Sequence, residues 1–209
     1  MPIDRKHKQA FIHIPKCAGT TIERRYKLQK EHNLYSHNWC EYQYLDICFA
    51  PRHLTLDALH HFYPDTKDFN SFCFVRHPYQ KAVSEYLYLT ARFYKKNIHF
   101  LTEFSIRTWL RQQASLFQMD HTLPQWFYAK DCNHIFQVES LDACLPIIDS
   151  WFELEEHKNE AKANNNRAQY RTIQGKRTSK EIAENLSQKT KATIASIYRI
   201  DFDHLDYDL

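Results

Sequence analysis

Apolar residues fall in short runs closed by proline or polar clusters, with stretches of helical period between them. Ala10-Phe11-Ile12-His13-Ile14, closed by Pro15, predicts a short buried strand. Thr20-Thr21-Ile22-Glu23 has capping-box spacing and predicts a helix to about Lys30. Residues 32–43 read as irregular. Tyr44 to Phe49 predicts a second strand, ended by Ala50-Pro51, and Thr55 to Phe62 a short helix. Ser71 to Val75 predicts a third strand, ended by Arg76-His77-Pro78. Pro78 suits the first turn of a helix, which the pattern carries to about Tyr94. A further helix is predicted from Thr102 to Gln113 and a fourth strand from His134 to Val138. Ser140 is placed to cap a helix to about Phe152. The polar stretch 156–177, with its Asn run and basic residues, reads as a surface loop, and the span 155–178 as a lid. Thr178 and Glu181 make a second capping box, opening a closing helix to about Arg199.

Strands alternating with helices predict an α/β fold: a three-layer, P-loop-like, mostly parallel sheet flanked by helices. The length of 209 residues suits a single domain over 1–209 with a sizeable core. A net charge of +3 is too small to argue for nucleic-acid binding, though it suits a local anion site. Met1 to Gln9 is polar and basic, unlike a secretory signal, and no stretch reaches the roughly 18 apolar residues of a membrane span. The six cysteines form no CxxC pair and read as reduced thiols of a cytoplasmic protein. A luminal domain cut from its anchor would show the same pattern. No Cys/His spacing matches a zinc site, so no metal is expected.

Ligands of such sheets bind beyond the carboxyl ends of the strands. Two predicted strands end in chemistry, one in Pro15-Lys16 and one in Arg76. The loop Pro15 to Thr21 runs from a strand into a helix start, whose free N–H groups and positive dipole end suit a phosphate or sulfate. Gly19, one of only two glycines, lets backbone approach closely; Thr20 and Thr21 add hydroxyls and Lys16 a charge. Lys16 precedes the glycine, so this is not a Walker A loop. No apolar strand ending in Asp follows to hold magnesium. A sulfuryl group carries less charge than a phosphoryl group and is transferable without a divalent cation.

Ile14-Pro15-Lys16-Cys17-Ala18-Gly19-Thr20-Thr21 resembles the 5′-phosphosulfate loop of PAPS-dependent sulfotransferases (PAPS is 3′-phosphoadenosine 5′-phosphosulfate). The nearest resemblance is to the carbohydrate branch containing the heparan sulfate 2-O-sulfotransferases, which often has Thr and Gly or Ala where Cys17 and Ala18 stand. Val75-Arg76-His77-Pro78 to Tyr86 resembles the family's 3′-phosphate motif, an Arg at a strand end and a Ser eight residues later, here Ser84. The resemblance implies PAPS as donor, PAP as product and a carbohydrate or other hydroxyl acceptor. It implies Lys16, Cys17, Ala18, Gly19, Thr20 and Thr21 at the 5′ end and Arg76 with Ser84 at the 3′-phosphate. Arg76 supplies a planar fork matched to phosphate oxygens; Lys81 reads as solvated.

A hydroxyl needs a base near neutral pH, and His has a suitable unperturbed pKa. His53 follows the second strand, where the resemblance places the proposed base; His60, His61, His77 and His121 are rivals. Arg52 is placed to bind an acidic acceptor. His121-Thr122-Leu123-Pro124-Gln125 is similar to an acceptor-side segment, and Ile135 to Leu141, with Glu139, to a strand ending in Glu-x-Leu. Gln169 to Arg177 resembles the basic lid, making Arg171 and Lys176 candidates for the nucleotide. Tyr198 to Phe202 resembles the family's last helix. Tyr94, Trp109, Phe117 and Trp126 are placed either to stack on sugars or to fill the core. The competing classes are a P-loop nucleotide kinase or NTPase, and a non-catalytic nucleotide- or glycan-binding module.

Overall fold

The apolar runs read as strands near residues 10 and 72 lie side by side. The computed structural model describes residues 2–28, 40–42, 47–49, 52–93, 103–114, 120–154, 170–172 and 175–209. They divide into two compact units: Met1–Val75 with Gln118–Asn165, and Arg76–Phe117 with Asn166–Leu209.

The first unit opens with β1 (Ile3–Asp4) and β2 (Gln9–Ile12), followed by α1 (Gly19–Arg25), β3 (Cys40–Tyr42), β4 (Ile47–Phe49), α2 (Leu56–Phe62) and β5 (Asn70–Val75). In the second unit α3 (Pro78–Phe93) and α4 (Glu103–Ala114) come next. The first unit then closes with α5 (Trp126–Ala129), β6 (His134–Gln137) and α6 (Leu141–Trp151). The second closes with β7 (Tyr170–Thr172), β8 (Gly175–Arg177), α7 (Ser179–Glu184), α8 (Gln188–Ile197) and α9 (Arg199–His204).

One four-stranded sheet runs β1-β2-β5-β6. β2 pairs in parallel with β5 and β5 with β6, while β1 joins β2 antiparallel. The result is a mixed α/β architecture with helices against the sheet. Phe72, Cys73, Phe74 and Val75 are buried because β5 has neighbours on both edges and helices over its faces. Each such side chain contributes roughly 1.5–3 kcal/mol by leaving water.

The described part of the stretch expected as a second strand, Ile47–Phe49, is not part of this sheet. Cys40–Tyr42 and Ile47–Phe49 pair antiparallel as a separate ribbon, with Cys40 opposite Phe49. Lys30, Ala50, Pro51, Tyr94, Phe117 and the Asn run lie outside the described residues. In the span read as a lid, Tyr170–Thr172 and Gly175–Arg177 form a two-stranded ribbon in which Arg171 pairs with Lys176.

α3 is the centre of the second unit. Tyr79, Ala82, Val83, Tyr86 and Leu87 pack with Ile106 and Leu110 of α4, Ile182 and Ala183 of α7, and Ile194, Tyr198 and Phe202 further on. Trp109, partly buried, packs against this cluster edge-on to Tyr86. Thr178 and Glu181 make the expected capping box. The closing helix is broken where Ser187 caps α8, its hydroxyl accepting from the Thr190 N–H. Among the described residues no helix is long and apolar enough to cross a membrane.

Candidate active site

β2 ends at Ile12, and the chain turns sharply before α1 starts at Gly19. Lys16 has φ 65 and Ala18 φ 60, so two non-glycine residues flanking Cys17 sit in the left-handed region. That conformation costs about 1 kcal/mol each and recurs where successive N–H groups are gathered around an anion. The N–H groups of Cys17 and Thr21 are donated within the loop, to Ile14 O at 3.3 Å and Ala18 O at 2.9 Å. Gly19 and Thr20 open α1, where N–H groups have no carbonyl a turn earlier in the helix to bond. Thr20 is exposed and Lys16 and Thr21 half-buried.

Cys17 stands where the resembling loops often carry a Thr hydroxyl, so only its backbone is expected at the nucleotide. It is buried, and its thiol donates to Gln125 Oε1 at 3.1 Å. An apolar-leaning thiol is suited to that interior position. Glu23 departs from its expected place as a cap. The expected capping box is absent, because Ala18, not Thr20, is the N-cap and no side chain caps there. Glu23 is instead 0% exposed and accepts from His13 Nδ1 at 2.5 Å and from Arg52 Nη2. A buried carboxylate needs such partners, and Arg52, placed by sequence at the acceptor, bonds Glu23 through Nη2.

Gly19 has a reason for being glycine that the loop sequence does not reveal. A Cβ there would come 2.0 Å from His13 Nε2. The His13 ring therefore occupies the space a side chain would need. At its far end α1 is tied down by Arg25 and Tyr26, both bonded to Asp149 of α6; the two bonds to Asp149 Oδ1 are each 2.8 Å.

His53 lies beside this loop, brought there by a side-chain bond rather than by a sheet strand. It is 5% exposed, and its Nδ1 is 2.7 Å from the carbonyl oxygen of His13. A carbonyl only accepts, so Nδ1 carries the proton and Nε2 keeps its lone pair. The ring meets His13 at 4.5 Å and His121 at 5.1 Å, edge-on in both cases. Burial holds the imidazole well below the ordinary 6.5, and the nearby His13 and His121 push the same way. Burial also lowers His13, against the opposing pull of Glu23. Both rings are therefore neutral near pH 7.

Asp120 and His121 complete the surroundings from a 3₁₀ turn, Asp120–Thr122. Asp120 is 0% exposed and accepts from the His121 N–H at 2.7 Å. One atom each of His53, Asp120 and His121 lie within 4.8 Å of one another, atom types that a divalent transition metal accepts. Sequence spacing gave no hint of this trio, since 67 residues separate Asp120 from His53.

In the second unit Arg76 is half-buried just ahead of α3, and Ser84 lies buried within that helix. Lys81 was expected in solvent but is 1% exposed, its Nζ 5.3 Å from the Tyr198 ring centre. The rival His77 packs among Tyr79, Phe202 and Tyr207. His60 and His61 lie in the last turn of α2, half-buried and exposed. The side chains of Arg171 and Lys176 lie outside the described part of the structure.

In this mixed sheet β2 leads into a turn with two left-handed residues and Lys16 at a helix start, with the buried His53 imidazole alongside. A model of the sulfotransferase family matches residues 1–208, and the chain belongs to that family. No curated protein and no solved structure matches it.

Proposed function

We propose that this chain transfers the sulfuryl group of PAPS to a hydroxyl, on a carbohydrate acceptor, with His53 as the base. The observation that carries the reading is the His53 Nδ1 bond to the His13 carbonyl, which leaves Nε2 ready to take a proton beside the anion loop. Donors for a sulfuryl or 5′-phosphate oxygen come from Lys16, the N–H groups of Ala18, Gly19 and Thr20, and the hydroxyls of Thr20 and Thr21. Cys17 acts through its place in the loop. Arg76 and Ser84 are assigned the 3′-phosphate on their sequence motif, and Arg171 and Lys176 a closing contact with the nucleotide.

The step is an in-line displacement. The acceptor oxygen forms a bond to sulfur as the bond from sulfur to the 5′-phosphate oxygen breaks. The hydroxyl proton passes to His53 Nε2, and the products are a sulfate ester and PAP. Charge grows on the leaving phosphate oxygen, where a fixed cation and N–H donors lower the barrier most. A positioned base contributes roughly 10²–10⁴-fold. The carbohydrate acceptor rests on the resemblance of Ile14 to Thr21 to the carbohydrate branch.

Mass spectrometry of a panel of polysaccharides, oligosaccharides, glycolipids and small alcohols incubated with PAPS tests this. A mass gain of one sulfuryl group on a carbohydrate, without added metal, is expected. Transfer only to non-carbohydrate alcohols would reject the acceptor class. PAP binding with no transfer to any acceptor would indicate a binding module, and magnesium-dependent ATP turnover a nucleotide kinase.

A further inference from the structure

We infer that His13 and Glu23 are positioning residues that couple the orientation of His53 to the anion loop, a role that rests on the reading of His53 as the base. Three contacts meet on His13. Its ring edge fills the space against Gly19, where a Cβ would lie 2.0 Å from Nε2. Its Nδ1 is held by Glu23 Oε1 at 2.5 Å. Its backbone carbonyl holds His53 Nδ1 at 2.7 Å and so selects the tautomer.

Glu23 closes the circuit. Its second oxygen accepts from Arg52, the residue just before His53 in sequence. One carboxylate, 0% exposed, thus bonds both the residue whose carbonyl holds the His53 ring and the residue next to His53 in sequence. Glu23 also belongs to α1, the helix that the loop opens. A shift of Gly19 when an anion fills the loop presses on the His13 ring, and His13 carries the acceptor that sets His53. Close packing transmits such shifts rather than absorbing them. Asp120 and His121 also lie beside His53, and the atoms nearest a Cβ at Gly19 are all of His13.

The test uses the full chain with ¹⁵N-labelled histidine, comparing wild type, Glu23→Ala and Glu23→Gln, with PAP as the loop probe and the acceptor identified by the panel. In wild type, long-range ¹H–¹⁵N spectra are expected to show His53 protonated on Nδ1, and PAP to shift the His13 and His53 signals together. In Glu23→Ala, His53 is expected to populate the Nε2-protonated form. Its kcat falls on the order of 10²-fold, the scale of a misplaced reacting group. The donor KM changes by less than about threefold, as for an interaction made mainly in the transition state. His53→Ala with Glu23→Ala is expected to be no slower than His53→Ala alone. Glu23→Gln keeps an acceptor for His13 Nδ1 but sets an amide N–H against Arg52, so it is expected to retain the Nδ1 tautomer and to fall between wild type and Glu23→Ala in kcat.

A folded Glu23→Ala protein with wild-type tautomer and kcat overturns the inference, as does a fully additive loss in the double variant. Should Glu23→Ala not fold, the wild-type titration decides, and a His53 signal unmoved by saturating PAP overturns it. Full activity in His53→Ala would instead reject the base assignment, with the tautomer coupling still measured on its own.

Discussion

Both units bury charged side chains, and they bury them to different ends. In the first unit Glu23, His13, Arg52 and His53 are strung between a strained loop and a helix start, and the chain of contacts ends on an imidazole nitrogen left with its lone pair. In the second, Lys81 and Glu85 lie one turn apart on α3 within an aliphatic and aromatic cluster, with Asp201 and Tyr198 opposite. There the Tyr198 phenol is pushed up by burial and then by the Glu85 and Asp201 carboxylates, and Lys81 lies over its ring. The contrast teaches how to read a buried ion. On the proposed function the first group holds a reactive atom ready, whereas the second lies among packed helices. Substitution in the first should be felt in turnover, and in the second in stability.

The sharpest break between them comes from His53→Ala, expected to lower kcat by roughly 10²–10⁴-fold while leaving PAP affinity by calorimetry near wild type. Equal turnover in that variant would erase the distinction. The pH profile refines it. A base whose native pKa is depressed stays unprotonated as the pH falls through 6.5, so the acid limb of kcat/KM should lie below that value. A limb at or above 6.5 would contradict the burial argument. The stability sign follows the same logic. With His13 and His53 both depressed in the native state, their contribution is full above 6.5 and lost as the pH falls from there through the lowered native values. The mirror experiment is Lys81→Ala. It removes the cation from a site that keeps buried carboxylates, and is expected to cost about 3–5 kcal/mol in chemical denaturation. A loss under about 1 kcal/mol would show that those carboxylates are already compensated elsewhere.

The same contrast marks what the sequence could reveal. β2, β5, β6 and α3 were legible because each is a local pattern: an apolar run with a stop signal, or a helical period opened by proline. His53 was legible as a candidate from its place after a predicted strand, although a bond to the His13 carbonyl, not the sheet, sets its position. Glu23 was misread as a cap because Thr20 and Glu23 have the right spacing, while the partners that override it are His13, ten residues back, and Arg52, 29 ahead. Lys81 was misread as solvated because charge predicts exposure unless the helix is covered all round. Its flanks Ala82, Val83, Tyr86 and Leu87, with Glu85 at i+4, were the available signal. Cys17 stands where the resembling loops often carry a hydroxyl, and its thiol bonds Gln125, 108 residues away, as well as the nearby Pro15 carbonyl.

Gly19→Ala sits between the extremes and sharpens the comparison, because it should move both readouts. The added methyl collides with the His13 ring, so the ring or the loop must shift, at about 1–3 kcal/mol for overpacking. The same shift disturbs His53 through the His13 backbone, so kcat should fall as well. Lost stability with unchanged kcat per folded molecule would place Gly19 with the packing residues of the second unit.

The smallest effect expected is the most useful control. Thr178→Ala removes a capping box at the start of α7, where the Thr178 hydroxyl accepts from the Glu181 N–H at 3.2 Å and the Glu181 carboxylate accepts from the Thr178 N–H at 2.6 Å. A lost cap of this kind costs about 1 kcal/mol, and Glu181 is exposed, so water replaces part of what is removed. Among the described residues the hydrogen bonds of the Thr178 side chain are to Glu181, so turnover per folded molecule should be unchanged. Thr178 follows directly on β8, the strand that carries Lys176 and pairs with Arg171. If Thr178→Ala weakens PAP binding by more than its small cost in stability explains, the cap is setting the position of that ribbon, and the second unit holds ligand-facing order as well as packing.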